Sequence, residues 1–436
     1  MATDSLYGDL MSALQKSCPK DWEYLAEGAL NMALRYVGDC PLLAEYILRV
    51  RKEAPANQGG IGGDEWSECN LYTERVILPL LGRRYVNKAI EISLPDGFLE
   101  QLDVEVWPSR PEKRRKTGQH IDYKAKGNLA VLQYNVTSLP KMSPVLAADP
   151  PKFGTTWCVE LKPKWGFLPT SKHIEHKCKL TTSRFALQQH YKAKKNPSWK
   201  ISEYDPLQLF SYNLEEVKCC LHALVRTPQN NLRLFADQVL VFDETNEEAE
   251  SAKALLDHGY TEGIDSFIHA LAEICVREPL FERLKAAQMF DDMDIEAAYP
   301  VYQQILARGD SFPKLSSLGA MPHREPPTEL PQTREEQMEL VLRYMVSATP
   351  KDCSVMISLR TSTAEPDEAS TNPALPIELT GTGPAGARRT IVRDLPGWEY
   401  SIAVVDLDPK PIEKMPIYFK KDQEFAESFE LPIVKQ

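Results

Sequence analysis

The stretch LPKMSPVLAADPPKFG, residues 139–154, constrains this chain more than any other feature. It is rich in proline, which fixes φ and carries no N–H to donate, so neither a helix interior nor a central strand can run through it. The chain is therefore expected to build two units, residues 1–140 and 155–436, with 141–154 as the connection. Its 436 residues are enough for two or three packed units with a sizeable core.

On either side of that break the apolar spacing is informative. Residues 5–16 predict a short amphipathic helix, and 29–39 and 43–52 predict two strands joined by a turn at Asp39, Cys40 and Pro41. NQGGIGGDEW (57–66) reads as a mobile loop, followed by a helix from about Glu65 to Leu81 that Gly82 ends. A strand is expected over 128–136, and a buried strand over TWCVELKP (156–163). Helices are expected near 183–193 and 213–225, a strand pair within 231–242, and a mostly helical segment over 247–308. A Pro-rich surface loop (319–333) precedes two strands, CSVMISLR (353–360) and YSIAVVDLD (400–408). The segment 362–387 between them reads as a long disordered loop. The fold class is α+β, with a smaller, strand-rich N-terminal unit ahead of a larger mixed one.

The net charge of -11, from 51 Lys+Arg against 62 Asp+Glu, argues against a broad nucleic-acid-coating surface. It leaves room for a local basic pocket, because clefts focus charge whatever the net sign. Nine cysteines without framework or zinc spacing point to reduced thiols in the cytoplasm or nucleus. No apolar run approaches the roughly 18 residues of a membrane span, and the N-terminus lacks the pattern of a secretory signal. KRRK (113–116) reads as a binding-site or solvated loop in preference to a nuclear signal.

Candidate chemistry gathers at strand ends. In VELKPKWGFLP (159–169), Lys162 and Lys164 flank Pro163. In an extended segment their side chains share one face. A single lysine at a strand end is usually just solvated, but two ammonium groups on one face repel each other unless an anion lies between them. Arg184 and Lys192 lie eight apart on a predicted helix, close to one face. Arg233, Lys410 and Lys414, and the group Arg110, Arg114 and Arg115 are further cations near predicted element ends. Each alone reads as surface charge; together they point to a polyanionic ligand. Asp406 and Asp408 follow an apolar strand two residues apart, a carboxylate arrangement that suits Mg²⁺ bound with phosphate oxygens, although a simple Asp turn reads equally well. Asp352, ahead of another apolar strand, is either a capping residue or a proton acceptor. Neither a Walker A pattern nor GxGxxG is present.

Several motifs converge on one family. VELKPKWGFLP resembles the Glu-x-Lys-Pro-Lys-x-Gly-Phe-Leu-Pro signature of inositol-pentakisphosphate 2-kinases. EGALNMAL, LRVRK, RFALQQHYK, ISEYDPLQLFS, TPQNNLRLF, MDIEAAYPVY, KDCSVMIS and VVDLDPKPIEKMPIYFKKDQ follow in the family's order, from about Asp21 to Gln423. The resemblance implies a two-lobed architecture distantly like that of protein kinases. An N-lobe would hold ATP, and the larger C-lobe would carry an inositide-binding insertion. The implied reaction moves the ATP γ-phosphoryl group to the 2-hydroxyl of inositol 1,3,4,5,6-pentakisphosphate, giving inositol hexakisphosphate.

Carried over residue by residue, the resemblance implies that Gly28 and Asn31 belong to the loop over the nucleotide. Arg49 and Arg233 would contact ATP phosphates, with Asn135 and Glu160 near the adenosine. Lys162 would stand where the γ-phosphate meets the substrate. Lys164, Lys192, Asn230, Lys410, Lys414 and Tyr418 would hold inositide phosphates, with Arg114 as the N-terminal substrate arginine and Arg110 and Arg115 as its competitors. Asp352 would orient or deprotonate the hydroxyl. Asp406 would bind Mg²⁺, with Asp408 as a second candidate ligand. Three departures stand out: Ala26 replaces a glycine ahead of Glu27-Gly28, Trp165 follows Lys-Pro-Lys, and the ligands of a Cys/His zinc site are not found, so no structural zinc is expected. A monomer without membrane or nucleic-acid partners is expected. Two alternatives stay open at this point: a non-catalytic inositol-phosphate-binding scaffold, and a kinase of different positional specificity.

Overall fold

The computed structural model describes residues 2–28, 30–53, 65–123, 128–139, 154–362, 391–392 and 395–430. The connection 140–153, the Gly-rich segment 54–64 and most of the segment expected to be a disordered loop, 363–390, lie outside the described residues.

The fold is mixed α/β, with two five-stranded antiparallel sheets. The first uses β1 (Trp22–Glu27), β2 (Asn31–Tyr36), β3 (Tyr46–Arg51), β4 (Ile90–Ser93) and β5 (Leu129–Tyr134), in the order β1-β2-β3-β5-β4. Alternation decides which face is buried. Tyr46, Leu48 and Val50 of β3 point inward while Ile47, Arg49 and Arg51 are only partly covered. Met32, Leu34, Ile90, Ile92 and Leu132 complete that face. The helix Phe98–Val106 seals it with Phe98, Leu99, Leu102 and Val106, each buried side chain contributing about 1.5–3 kcal/mol.

The second sheet runs β10 (Trp398–Val405), β9 (Ser354–Thr361), β6 (Trp157–Leu161), β7 (Leu232–Ala236) and β8 (Val239–Phe242). Central β6 is buried at every position but one, Glu160. Its core is separate from the first and extends through the helices Leu214–Arg226, Ile264–Arg277, Leu280–Gln288, Ile295–Ala307 and Arg334–Ala348. The chain leaving β5 is tied to this sheet, because Ser358 Oγ donates to the Val136 carbonyl at 2.5 Å. Val86 and Val404 make a further parallel bridge between the two halves.

The predicted helix over 65–81 is a continuous helical run, Glu65–Tyr72, Thr73–Ile77 and Leu78–Leu81, ended by Gly82 at φ +96°. The strands expected at 128–136, 156–163, 231–242, 353–360 and 400–408 are present, the first three trimmed, β9 shifted by one residue to 354–361 and β10 by two or three to 398–405. Five longer elements are additional: β1, β4 and the helix Phe98–Val106 after it, and the helices Arg334–Ala348 and Met415–Glu430. The Arg334–Ala348 helix begins with a capping box in which Thr333 Oγ1 accepts from Glu336 N–H and the Glu336 carboxylate accepts from Thr333 N–H.

Candidate active site

Between the two sheets lies a cleft of about 1950 Å³. One end is apolar: Leu25, Ala33 and Ile47 face Val136, Phe235, Met356 and Val405. That lining suits a flat apolar group. Beyond it the cleft is lined by charge.

Its centre is built on Glu160, the exception in buried β6. Glu160 accepts from Ser354 Oγ at 3.0 Å and from Arg233 at 3.2 Å, with Lys162 Nζ 4.0 Å away. Lys162 also stands 3.9 Å from Asp406, whose carboxylate accepts from Ser354 at 3.4 Å. Asp406 adopts φ +64°, a left-handed conformation that Asp tolerates better than most residues. It turns an exposed carboxylate into the cleft directly after β10.

Asp408 is placed differently. Its Oδ2 accepts from Arg49 at 3.0 Å and from Asn31 at 3.2 Å. Burial would raise its pKa, but Arg49 outweighs it and holds the carboxyl below its ordinary range. Beside it, Asn31 Oδ1 is buried without a partner. Of the two aspartates, Asp406 is thus the one with an exposed carboxylate.

Lys162, Lys410 and Lys414 line the cleft, and Lys164, Lys192 and Tyr418 lie close to this group and to Asp352 without lining it. Burial pushes the Lys164 ammonium down to about 8, with Lys162 and Lys192 adding repulsion against the pull of Asp352. Burial also lowers Lys192 and Lys414. Lys410 pairs with Asp352 at 3.3 Å, and burial together with the Asp352 charge pushes Tyr418 up to about 12. Amines that lose water without gaining enough carboxylates favour a bound anion. Asn230 lines the same cleft.

Two expectations are corrected. Lys162 and Lys164 do not share the face of an extended segment, because β6 stops at Leu161 and Lys164 has φ +59°. They approach through a turn. Arg184, expected beside Lys192, is instead lodged against the Trp165 and Phe425 rings and pairs with Asp422 at 3.3 Å. Among the three arginines of the first unit, Arg110 is buried on Glu27 at 2.8 Å. Arg114 lines the cleft and donates to the Glu27 carbonyl at 3.1 Å, while Arg115 is exposed. Gly28 sits exposed in the β1–β2 turn, its carbonyl held by Lys52 at 2.7 Å. Asn135 lines the cleft, yet its amide is taken up by Thr137 and Gln238.

Two further residues belong to this site. Ser354 links Glu160 to Asp406, and Asn231 is 2 % exposed with both side-chain polar atoms unpartnered, next to Lys162, whose N–H donates to its carbonyl at 2.9 Å. Asn231 was within reach of sequence reasoning, since a second asparagine stands beside Asn230. Ser354 carried no such signal.

A family profile described as inositol-pentakisphosphate 2-kinase matches residues 24–424. Among curated proteins, an inositol-pentakisphosphate 2-kinase of Arabidopsis thaliana is 28% identical, covering 94% of this chain and 93% of its own length. One from Oryza sativa subsp. indica is 29% identical (95% and 94%), and one from Danio rerio is 26% identical (95% and 94%).

Proposed function

This chain belongs to the inositol-pentakisphosphate 2-kinase family, and from that membership we propose that it transfers the γ-phosphoryl group of ATP to the 2-hydroxyl of inositol 1,3,4,5,6-pentakisphosphate, forming inositol hexakisphosphate. The observation that carries this reading is the run of cations on the cleft, Arg49, Lys162, Arg233, Lys410 and Lys414, with burial lowering Lys414 and, beside Lys162, Lys164. A pentakisphosphate, with roughly 1.5–2 negative charges on each phosphate near neutral pH, supplies what they lack.

ATP fits with its base in the apolar end, near Asn135 and Glu160, under the Gly28 turn and Asn31. Arg49 and Arg233 then meet its phosphates. Lys162 stands at the γ-phosphate. Lys164, Lys192, Asn230, Lys410, Lys414, Tyr418 and Arg114 hold the inositide, and Asp352 orients the attacking hydroxyl and accepts its proton. Asp406 has the exposed oxygen chemistry that Mg²⁺ takes, and bound Mg²⁺ would neutralise charge on the nucleotide phosphates. The protein itself positions and neutralises, which is most of what phosphoryl transfer asks of it.

In this reading residues 1–140 and 155–436 are lobes of a distantly protein-kinase-like architecture, joined through 141–154. The cleft between their sheets supports it, although the helical run around Tyr72–Leu81 of the first packs into the core of the second. Anchors on both sides allow the inositide to draw the lobes together. The nine thiols, none in a disulfide, fit a reducing compartment, cytoplasm or nucleus. Replacing Asp406 by Ala should abolish turnover and leave inositide binding by calorimetry largely intact. Near-normal turnover would remove the metal assignment.

A further inference from the structure

Gln288 closes the helix Leu280–Gln288, is wholly buried, and belongs to none of the motifs discussed above. Its carboxamide nonetheless joins two loops of the site. Oε1 accepts from the Gly166 N–H at 2.8 Å. Nε2 donates to the Lys164 carbonyl at 2.7 Å and to the Pro350 carbonyl at 3.0 Å. Both donors and the acceptor are used, so the amide cannot turn over without setting N–H against N–H and carbonyl against carbonyl.

The surroundings leave little freedom. The turn passes through Lys164 at φ +59°, and a Cβ on Gly166 would fall 2.3 Å from the Phe210 ring. Tyr204 holds the Pro163 carbonyl at 2.8 Å. Lys351, in the second loop, lies 4.1 Å over the Trp165 ring and pairs with Asp291 at 2.6 Å, just beyond Gln288. One loop carries Lys164 and the other carries Asp352. Gln288 is the side chain that hydrogen-bonds to both.

We propose that Gln288 is a positioning residue that sets the spacing between Lys164 and Asp352, and so the placement of the inositide hydroxyl relative to its phosphate anchors. The proposal rests on the functional reading above. Gln288 touches no residue assigned to ATP alone, so its loss falls on the inositide side of the reaction.

The test uses full-length Gln288→Glu, which keeps the acceptor and loses both donors, and Gln288→Met, a neutral replacement should the buried carboxylate prevent folding. Thermal unfolding establishes that the variant is folded. The expected result is a drop in kcat/KM for the pentakisphosphate of about 10–100-fold, the scale of an ångström-level misplacement, with the KM for ATP held within about twofold. Amide exchange in the unliganded protein should quicken in 162–166 and 350–353 together. A matching rise in the KM for ATP, or unchanged exchange in either segment, overturns the proposal. If the wild-type protein does not phosphorylate the pentakisphosphate, the functional reading fails, and the exchange measurement alone decides whether Gln288 holds the two loops.

Discussion

The Arg49 guanidinium and the Asp408 carboxylate meet at 3.0 Å although 359 positions separate them. The pair joins β3 of the first sheet to the segment after β10 of the second. Both side chains are partly solvated, so the pair is worth only about 0.2–1 kcal/mol in stability. Its larger effect is on where Arg49 points. Asp408→Asn should leave the thermal midpoint nearly unchanged while raising the KM for ATP. A variant with unaltered ATP kinetics would show that Arg49 needs no such orientation.

Lys164 makes binding pH-dependent. In the folded protein its ammonium is held down to about 8, against an ordinary 10.5. Between those values the unfolded chain holds more protons than the folded one, so this group's contribution to stability rises with pH across that window. Inositide binding has the opposite sign, because phosphates favour the charged amine. Affinity should fall as pH rises through about 8, and binding should take up protons there. Calorimetry in buffers of different ionisation enthalpy measures the uptake, and Lys164→Met should remove the part of it at about 8 while leaving any that Lys192 and Lys414 contribute at higher pH. Unchanged uptake at about 8 in Lys164→Met would assign that titration to another group.

Glu27 carries the turn over the cleft. Its carboxylate pairs with Lys52 at 2.7 Å and Arg110 at 2.8 Å, all three side chains at most 1% exposed. Glu27→Gln leaves two buried cations without their counter-charge, at a cost of about 3–5 kcal/mol. The urea midpoint should fall accordingly. An unchanged midpoint would mean that water replaces the lost charge at this site.

The legible parts of the fold were those with strong apolar periodicity or clear punctuation. Gly82 ended its helix, and the apolar runs of β6, β9 and β10 announced buried strands. β1 was hidden because only Trp22 of WEYLAE is fully buried, leaving no alternation to read. The Arg334–Ala348 helix did carry a signal, the Thr333–Glu336 capping box, overshadowed by the prolines before it. At the site, residue types pointed to anion chemistry, but local sequence could not tell which cations were already spent. Arg110 and Arg184 look like Arg114 and Lys192 in the sequence. Only tertiary contacts put Glu27 beside Arg110 and Asp422 beside Arg184. Gln288 was invisible for the same reason, since its partners lie more than a hundred residues away at Lys164 and Gly166.

The most direct measurement of the central claim is the product formed from ATP, Mg²⁺ and inositol 1,3,4,5,6-pentakisphosphate, resolved by chromatography and phosphorus NMR. That substrate has one free hydroxyl, at the 2-position. The account predicts inositol hexakisphosphate, seen as one new phosphomonoester resonance at that position. A pyrophosphate resonance, or no ATP-dependent product, would contradict it.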